Sequence, residues 1–166
     1  MVRVGIGYDL HEFIEGRRLM LGGIEIPSVK GLHGHSDADV LLHSICDALL
    51  GAAGKGDIGK HFPSSDEKYR DIASGEFLKK VAGMLKKEKW HICNIDVTVI
   101  LEEPKLEPFK DKIKNSVADI LGIENARVNI KATTTEGIGA IGKNEAAASQ
   151  AVVLIEKRSH GDRSTS

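Results

Sequence analysis

Asp9 and His11 stand two apart in "GYDLHEF", directly after the apolar run "MVRVGIG". Alternate side chains of an extended strand share a face, so both point the same way. A carboxylate and an imidazole on one face are metal-ligand chemistry, and a zinc site with an open position needs a third protein ligand. "DADVLLHSICDALLG" offers one. Asp39, His43 and Asp47 fall at i, i+4 and i+8, a narrow polar stripe on an otherwise apolar helix. Packing that helix on the first strand would bring His43 to Asp9 and His11. An Asp-His-His set suits zinc better than magnesium, which prefers oxygen throughout. The plainer alternative is a solvated strand end and a hydrogen-bonded core histidine, and spacing alone leaves it open.

Three other stretches carry polar chemistry. "HGHSDAD" puts His35 and Ser36 at the start of the helix bearing His43, where free backbone N–H groups suit phosphate. "KATTTEGIG" sets hydroxyls and the Glu136 carboxylate at a strand end before glycines, a combination able to hold phosphate oxygens and a hard cation. Strand propensity accounts for the threonines but does not require Glu136 or the glycines. "GDIGKHFP" adds Asp57 and Gly59 in a loop that a simple turn would also explain. "VGIGYD" is not a dinucleotide fingerprint, since Leu10 occupies the last glycine position.

The elements that must position these residues follow from periodicity and punctuation. "VRVGIGYDL" reads as a strand, "RRLMLGGIEIP" as a hairpin, "HICNIDVTVIL" and "ARVNIKATTT" as strands. The His43 helix is expected from Ser36 as N-cap, with Asp39 three residues on, to the Gly51 and Gly54 stop. "SGEFLKKVAGMLKKEKW", opened by Ser74, and "PKLEPFKDKIKNSVADILG" read as amphipathic helices. Residues 30–39 and 55–71 read as loops. "EAAASQAVVLIEK" suits strand or helix, and its Val-Val-Leu-Ile half favours strand. The expected fold is a single α+β (mixed α/β) domain over residues 1–157, one main sheet with helices on one face. A polar tail, disordered or foreign to the native chain, is expected over 158–166.

Composition sets outer bounds. The 166 residues suffice for one core, with 41% apolar and 28% charged residues. With 23 Lys and Arg against 24 Asp and Glu, bulk electrostatic binding to nucleic acid or anionic membrane is not expected. Any bound anion needs a local site. Cys46 and Cys93 lack metal-finger spacing and read as buried, reduced thiols. The chain opens on strand-like sequence rather than a signal pattern, and no apolar run would span a bilayer, so a cytoplasmic protein is expected.

Taken together, "GYDLH", "HSDAD" followed by "LLH", "DALLGAAGKGDIGKHFP", "VTVILEEPKL" and "VNIKATTTE" resemble the 2-C-methyl-D-erythritol 2,4-cyclodiphosphate synthases, in order, from about Val2 to Lys157. The resemblance implies a lyase of the non-mevalonate isoprenoid route. In that reaction 4-diphosphocytidyl-2-C-methyl-D-erythritol 2-phosphate cyclises with loss of CMP. It also implies a homotrimer with sites between subunits, one zinc per site and a second divalent cation, magnesium or manganese. By the same resemblance Asp9, His11 and His43 are the zinc ligands and Glu136 the second-metal ligand. His35, Ser36, Asp57, Gly59 and Asp66 contact the methylerythritol 2-phosphate. Leu101, Lys105, Leu106, Ala132, Thr133 and Thr134 contact the cytidine diphosphate, and Thr134 joins Glu136 in catalysis. Asp47 either supports a zinc ligand or caps the core.

The sequence departs from the family pattern at Ser64, where Asp or Pro is common. It departs again at Ala140 and Lys143, where an aromatic residue and an arginine are usual. The last two bear on an axial cavity that accepts isoprenoid-like diphosphates in the family, not on the cyclase site. Two other functions use the same residues. A zinc phosphohydrolase would activate water on the Asp9, His11 and His43 set and leave "EEPKL" and "ATTTE" idle. A structural zinc would need a fourth protein ligand, which neither Cys46 nor any other residue evidently supplies.

Overall fold

The first strand is apolar on the side away from the core. In the computed structural model, which describes residues 1–157, Gly5 and Gly7 face a helix while Val4, Ile6, Tyr8 and Leu10 point outward, 48–64% exposed. The tail expected over 158–166 lies outside the described residues. The strands are β1 (Val2–Glu15), β2 (Leu19–Leu21), β3 (Ile24–Ile26), β4 (Lys30–Leu32), β5 (His91–Ile100), β6 (Val128–Thr133) and β7 (Ala146–Glu156). The helices are α1 (Val40–Ala53), α2 (Ile58–His61), α3 (Ser74–Lys87), α4 (Lys110–Leu121) and α5 (Gly139–Gly142).

The main sheet has the order β4-β1-β7-β5-β6, and β2 and β3 form a separate hairpin. β7 runs antiparallel to both β1 and β5, and β5 runs parallel to β6. His11 pairs with Ala147 and Ile100 with Ala148. The His11 end of β1 and the C-terminal end of β5 therefore lie at one end of the sheet, on either side of β7.

α1 lies on β1 and β7, with α3 beyond it. Its Val40, Leu41, Leu42, Ile45, Leu49 and Leu50 are all fully buried, as expected of a helix that is apolar nearly all round. Each such leucine contributes about 1.5–3 kcal/mol of burial. A methyl group on Gly7 would stand 1.9 Å from Ser44 O, and one on Gly5 2.0 Å from Ala48 O. These two glycines thus set how closely α1 sits on β1. The small residues of β7, Ala147, Ala148, Ser149 and Ala151, are fully buried.

Several local expectations change. α1 begins at Val40 with Asp39 as N-cap, accepting from Leu42 N at 3.0 Å, not with Ser36. Ala38 adopts φ 57°, which breaks the helix before Asp39. Asp39 also accepts from Gly22 N and Gly23 N at 3.0 and 2.7 Å, tying the hairpin turn to the helix start. The segment read as a loop over 30–39 contains β4, paired with Phe13–Glu15 of β1. Within 55–71 lie α2 and a 3-10 turn at Glu67–Tyr69. α4 begins at Lys110, later than expected, after a 3-10 turn over Glu107–Phe109 whose Pro108 has no N–H to give. The ambiguous segment at 145–157 is strand β7: pairing on both edges overrides the helix propensity of its alanines. Among the described residues, no helix is long and apolar enough to cross a membrane.

Candidate metal and phosphate site

Asp9, His11 and His43 converge. Their ligand atoms lie within 4.8 Å of one another, the one such group of three or more among the described residues. The strand period carries Asp9 and His11 to the side of β1 that Gly5 and Gly7 present to α1. The close seating of α1 then brings His43 Nδ1 to 2.9 Å from Asp9 Oδ2. His11 Nδ1 lies 3.0 Å from the same oxygen. That contact lacks hydrogen-bond alignment, so His11 Nδ1 is a buried polar atom without a hydrogen-bond partner. An atom held against two other donors without a directed bond is what a metal ligand set requires. Ligand atoms about 2.0–2.1 Å from a tetrahedral zinc stand ~3.3 Å apart, near the two spacings found here. The residues present therefore fit zinc.

Burial alone would raise the Asp9 pKa, but the adjoining imidazoles of His11 and His43 outweigh it and hold the carboxyl at about 2. Burial would lower the His43 pKa. Its bond to Asp9, with the charges of Asp9, Asp39 and Asp37, raises it instead. The proton that His43 Nδ1 gives to the ionised Asp9 carboxylate is one a metal must displace.

The three side chains line a cavity of about 250 Å³ together with His35, Ser36, Gly59, Ser64 and an aromatic wall. Phe62 stacks on Phe77 at 4.7 Å, and Tyr69 meets both edge-on at 5.6 Å. His35 is held by its backbone, with Asp71 N donating to His35 O at 2.8 Å. Arg17 donates to the flanking carbonyls of Gly34 and Ser36 at 2.7 and 2.6 Å.

Asp57 and Asp66 do not line this cavity. Asp57 caps α2 by accepting from Lys60 N. Asp66 caps the following 3-10 turn and pairs with Lys68, while its carbonyl oxygen lies 3.3 Å from His35 Nε2. Asp47 accepts from Ile58 N at 2.7 Å and so anchors α2 to α1, without touching a histidine. Of the expected polar stripe, only His43 faces the site.

A second cavity, about 150 Å³, collects Leu101, Lys105, Leu106, Ala132, Thr133 and Thr134 at the C-terminal ends of β5 and β6. Glu136 joins through Thr134, whose hydroxyl donates to Glu136 Oε1 at 2.8 Å. The turn holding them is itself held. Glu102 Oε1 accepts from Thr135 N at 2.8 Å, Thr135 Oγ1 at 3.3 Å and Gly137 N at 3.4 Å, while Glu136 sits at φ 54°. The two cavities share no lining residue.

Sequence reasoning missed Glu102, the aromatic wall, and Asp37 and Ser74 behind His43. The paired acids of "EEP" before the threonine motif were the only signal for Glu102. Ser74 read simply as a helix start.

The YgbB family matches residues 2–156. The chain is similar to the 2-C-methyl-D-erythritol 2,4-cyclodiphosphate synthase of Syntrophomonas wolfei, with 56% identity over 94% of this chain and 99% of that one. Among solved structures it resembles the bifunctional IspDF of Campylobacter jejuni, with TM-score 0.92 and 41% identity, covering 95% of this chain and 43% of that longer one. It also resembles the CDP complex of Plasmodium falciparum IspF, with TM-score 0.83 and 32% identity over 95% of this chain and 97% of that one.

Proposed function

The chain belongs to the YgbB family of 2-C-methyl-D-erythritol 2,4-cyclodiphosphate synthases, enzymes of the non-mevalonate isoprenoid route, and on that premise we propose how its residues share the work. The substrate carries both reacting groups. Its 2-phosphate oxygen attacks the β-phosphorus of its own diphosphate, a new P–O bond closes the ring, and the bond to the α-phosphate oxygen breaks to release CMP. No protein nucleophile is needed. The obstacle is bringing anions together, since two unit charges about 4 Å apart repel by about 4 kcal/mol at an effective dielectric of about 20.

Asp9, His11 and His43 would hold zinc, and Glu136 the second divalent cation, magnesium or manganese. When bound, these ions neutralise charge and polarise the β-phosphate. His35, Ser36 and the backbone at Gly59 bind the methylerythritol and its 2-phosphate, with Asp57 shaping that loop. Asp66 acts by holding His35 through its carbonyl rather than by touching substrate. Leu101, Lys105, Leu106, Ala132 and Thr133 take the cytidine diphosphate, and Thr134 orients the diphosphate. Positioning and charge stabilisation then carry the rate.

The observation that carries this reading is the convergence of three ligand atoms within 4.8 Å in a cavity that His35 and Ser36 also line. A homotrimer completes it. Two observations support that assembly: the reacting halves occupy separate cavities in one chain, and Val4, Ile6, Tyr8 and Leu10 leave an apolar sheet face exposed. Packing three such faces around an axis would set the zinc cavity of one subunit against the cytidine cavity of the next. Phosphorus NMR with substrate, zinc and magnesium tests the assignment. A cyclic diphosphate with stoichiometric CMP supports it; inorganic phosphate without a cyclic product would favour the phosphohydrolase.

A further inference from the structure

His43 can present an Nδ1 lone pair to a metal only if its ring proton sits on Nε2. The side chains behind the ring decide this. His43 Nε2 lies 2.9 Å from Ser74 Oγ, and Ser74 is fully buried at the first turn of α3. The Ser74 hydroxyl is itself committed: it donates to Asp37 Oδ1, while Ser74 N donates to Asp37 Oδ2 at 3.0 Å. An ionised carboxylate only accepts, and a hydroxyl has one proton. With that proton turned to Asp37, the Ser74 oxygen can only accept toward the ring, so His43 must donate from Nε2.

Ser36 Oγ also approaches Nε2, at 3.2 Å, and accepts from Ala38 N; its own proton has an acceptor in Ser74 Oγ, 3.3 Å away, which leaves its remaining lone pair facing the ring. Neither Asp37 nor Ser74 lines the cavity that holds Asp9, His11 and His43.

We propose that Asp37 and Ser74 are positioning residues whose relay, Asp37 to Ser74 to His43, keeps the His43 proton on Nε2 and so orients Nδ1 as a metal ligand. This rests on the zinc reading above. The relay joins α3 to α1 through one hydroxyl, so the docking of α3 sets the quality of a ligand carried by another helix. A carboxylate behind a metal-bound imidazole commonly tunes the ligand's basicity directly; here a serine is interposed.

The test is zinc affinity, measured by competition with a chromogenic chelator, on wild type, S74A, S74T and D37N. S74A should bind zinc about 10- to 100-fold more weakly. S74T should recover most of the loss by restoring the hydroxyl, and D37N should fall between. In metal-free protein the ionised Asp9 carboxylate also claims a proton on Nδ1, so the relay is read with zinc bound: in 1H–15N spectra the His43 Nε2–H should exchange slowly in wild type and S74T and fast in S74A. Melting of the chelator-treated proteins controls for folding, and should S74A not fold, D37N decides on the same two readouts. Zinc affinity within twofold of wild type together with unchanged Nε2–H exchange in S74A overturns the relay. A wild type that binds zinc no better than His43→Ala overturns the metal reading itself, a different result.

Discussion

Replacing Gly7 by alanine asks whether the seating of α1 on β1 sets the metal site. The added methyl would stand 1.9 Å from Ser44 O and 2.6 Å from Ala48 N, where ordinary contact begins at 3.4 Å. Helix and strand must part locally by about 1.5 Å, because a close-packed interior offers no slack. His43 immediately precedes Ser44, and Asp9 lies two residues beyond Gly7. The displacement therefore falls on the 2.9 Å contact between Asp9 and His43. Metal–ligand distances tolerate only about 0.2 Å, so zinc affinity should drop on the order of 10- to 100-fold although no ligand is changed. Overpacking of this kind costs about 1–3 kcal/mol, or ~2–12 °C in Tm for a chain of this size.

Chelator competition gives the first quantity and thermal melting, with and without chelator, the second. Gly5→Ala is the matched control: its methyl would lie 2.0 Å from Ala48 O, so stability should fall similarly, with a smaller loss of zinc affinity because Asp9 is four residues away. Gly51→Ala, with nothing within 4 Å, should be neutral or slightly stabilising in the last turn of α1. A Gly7→Ala protein that melts within a degree of wild type and binds zinc equally well would refute the argument that this contact is the ruler for the site.

Other outcomes follow from the same geometry. His43→Ala should lose stoichiometric zinc and at least ~100-fold in kcat/KM, read by metal analysis and CMP release; full zinc content would remove His43 from the ligand set. In chelator-treated protein the lowered Asp9 pKa, about 2 against an ordinary 3.8, makes folding favour the carboxylate. That stability is present above about pH 4 and lost as pH falls through about 2, on the order of 2 kcal/mol; denaturant melts across this range should show it in wild type and not in Asp9→Ala. Ile6→Glu places a charge on the exposed apolar face without touching the core, and should shift the proposed trimer toward monomer by light scattering, with activity lost in parallel. An active monomer would contradict the shared site.

Much of the site was legible because its signals are local. The two-residue strand period put Asp9 and His11 on one face, and a polar position on an apolar helix singled out His43. The threonine run with Glu136 and the loop with His35 and Ser36 declared themselves by residue type. The long elements followed from the same periods, with β7 the one ambiguous segment, while the short β4 and α2 fell in stretches that read as loops.

Where the chain had to choose among distant partners, tertiary structure decided. Asp39 and Asp47 share a helical stripe with His43, but backbone N–H groups of the hairpin turn and of α2 claim them. No local pattern foretells which orphan donor will arrive. Asp37 and Ser74 stand 37 residues apart, and only the docking of α3 against α1 makes them partners of His43. The exposed side of β1 is the plainest case. Alternation in "VRVGIGYDL" correctly separates two faces, but hydrophobicity alone would turn Val4 and Ile6 inward. A helix lying directly on the strand leaves room for hydrogen atoms only, so the glycines face the core, and the larger apolar side chains are left to whatever covers the other side.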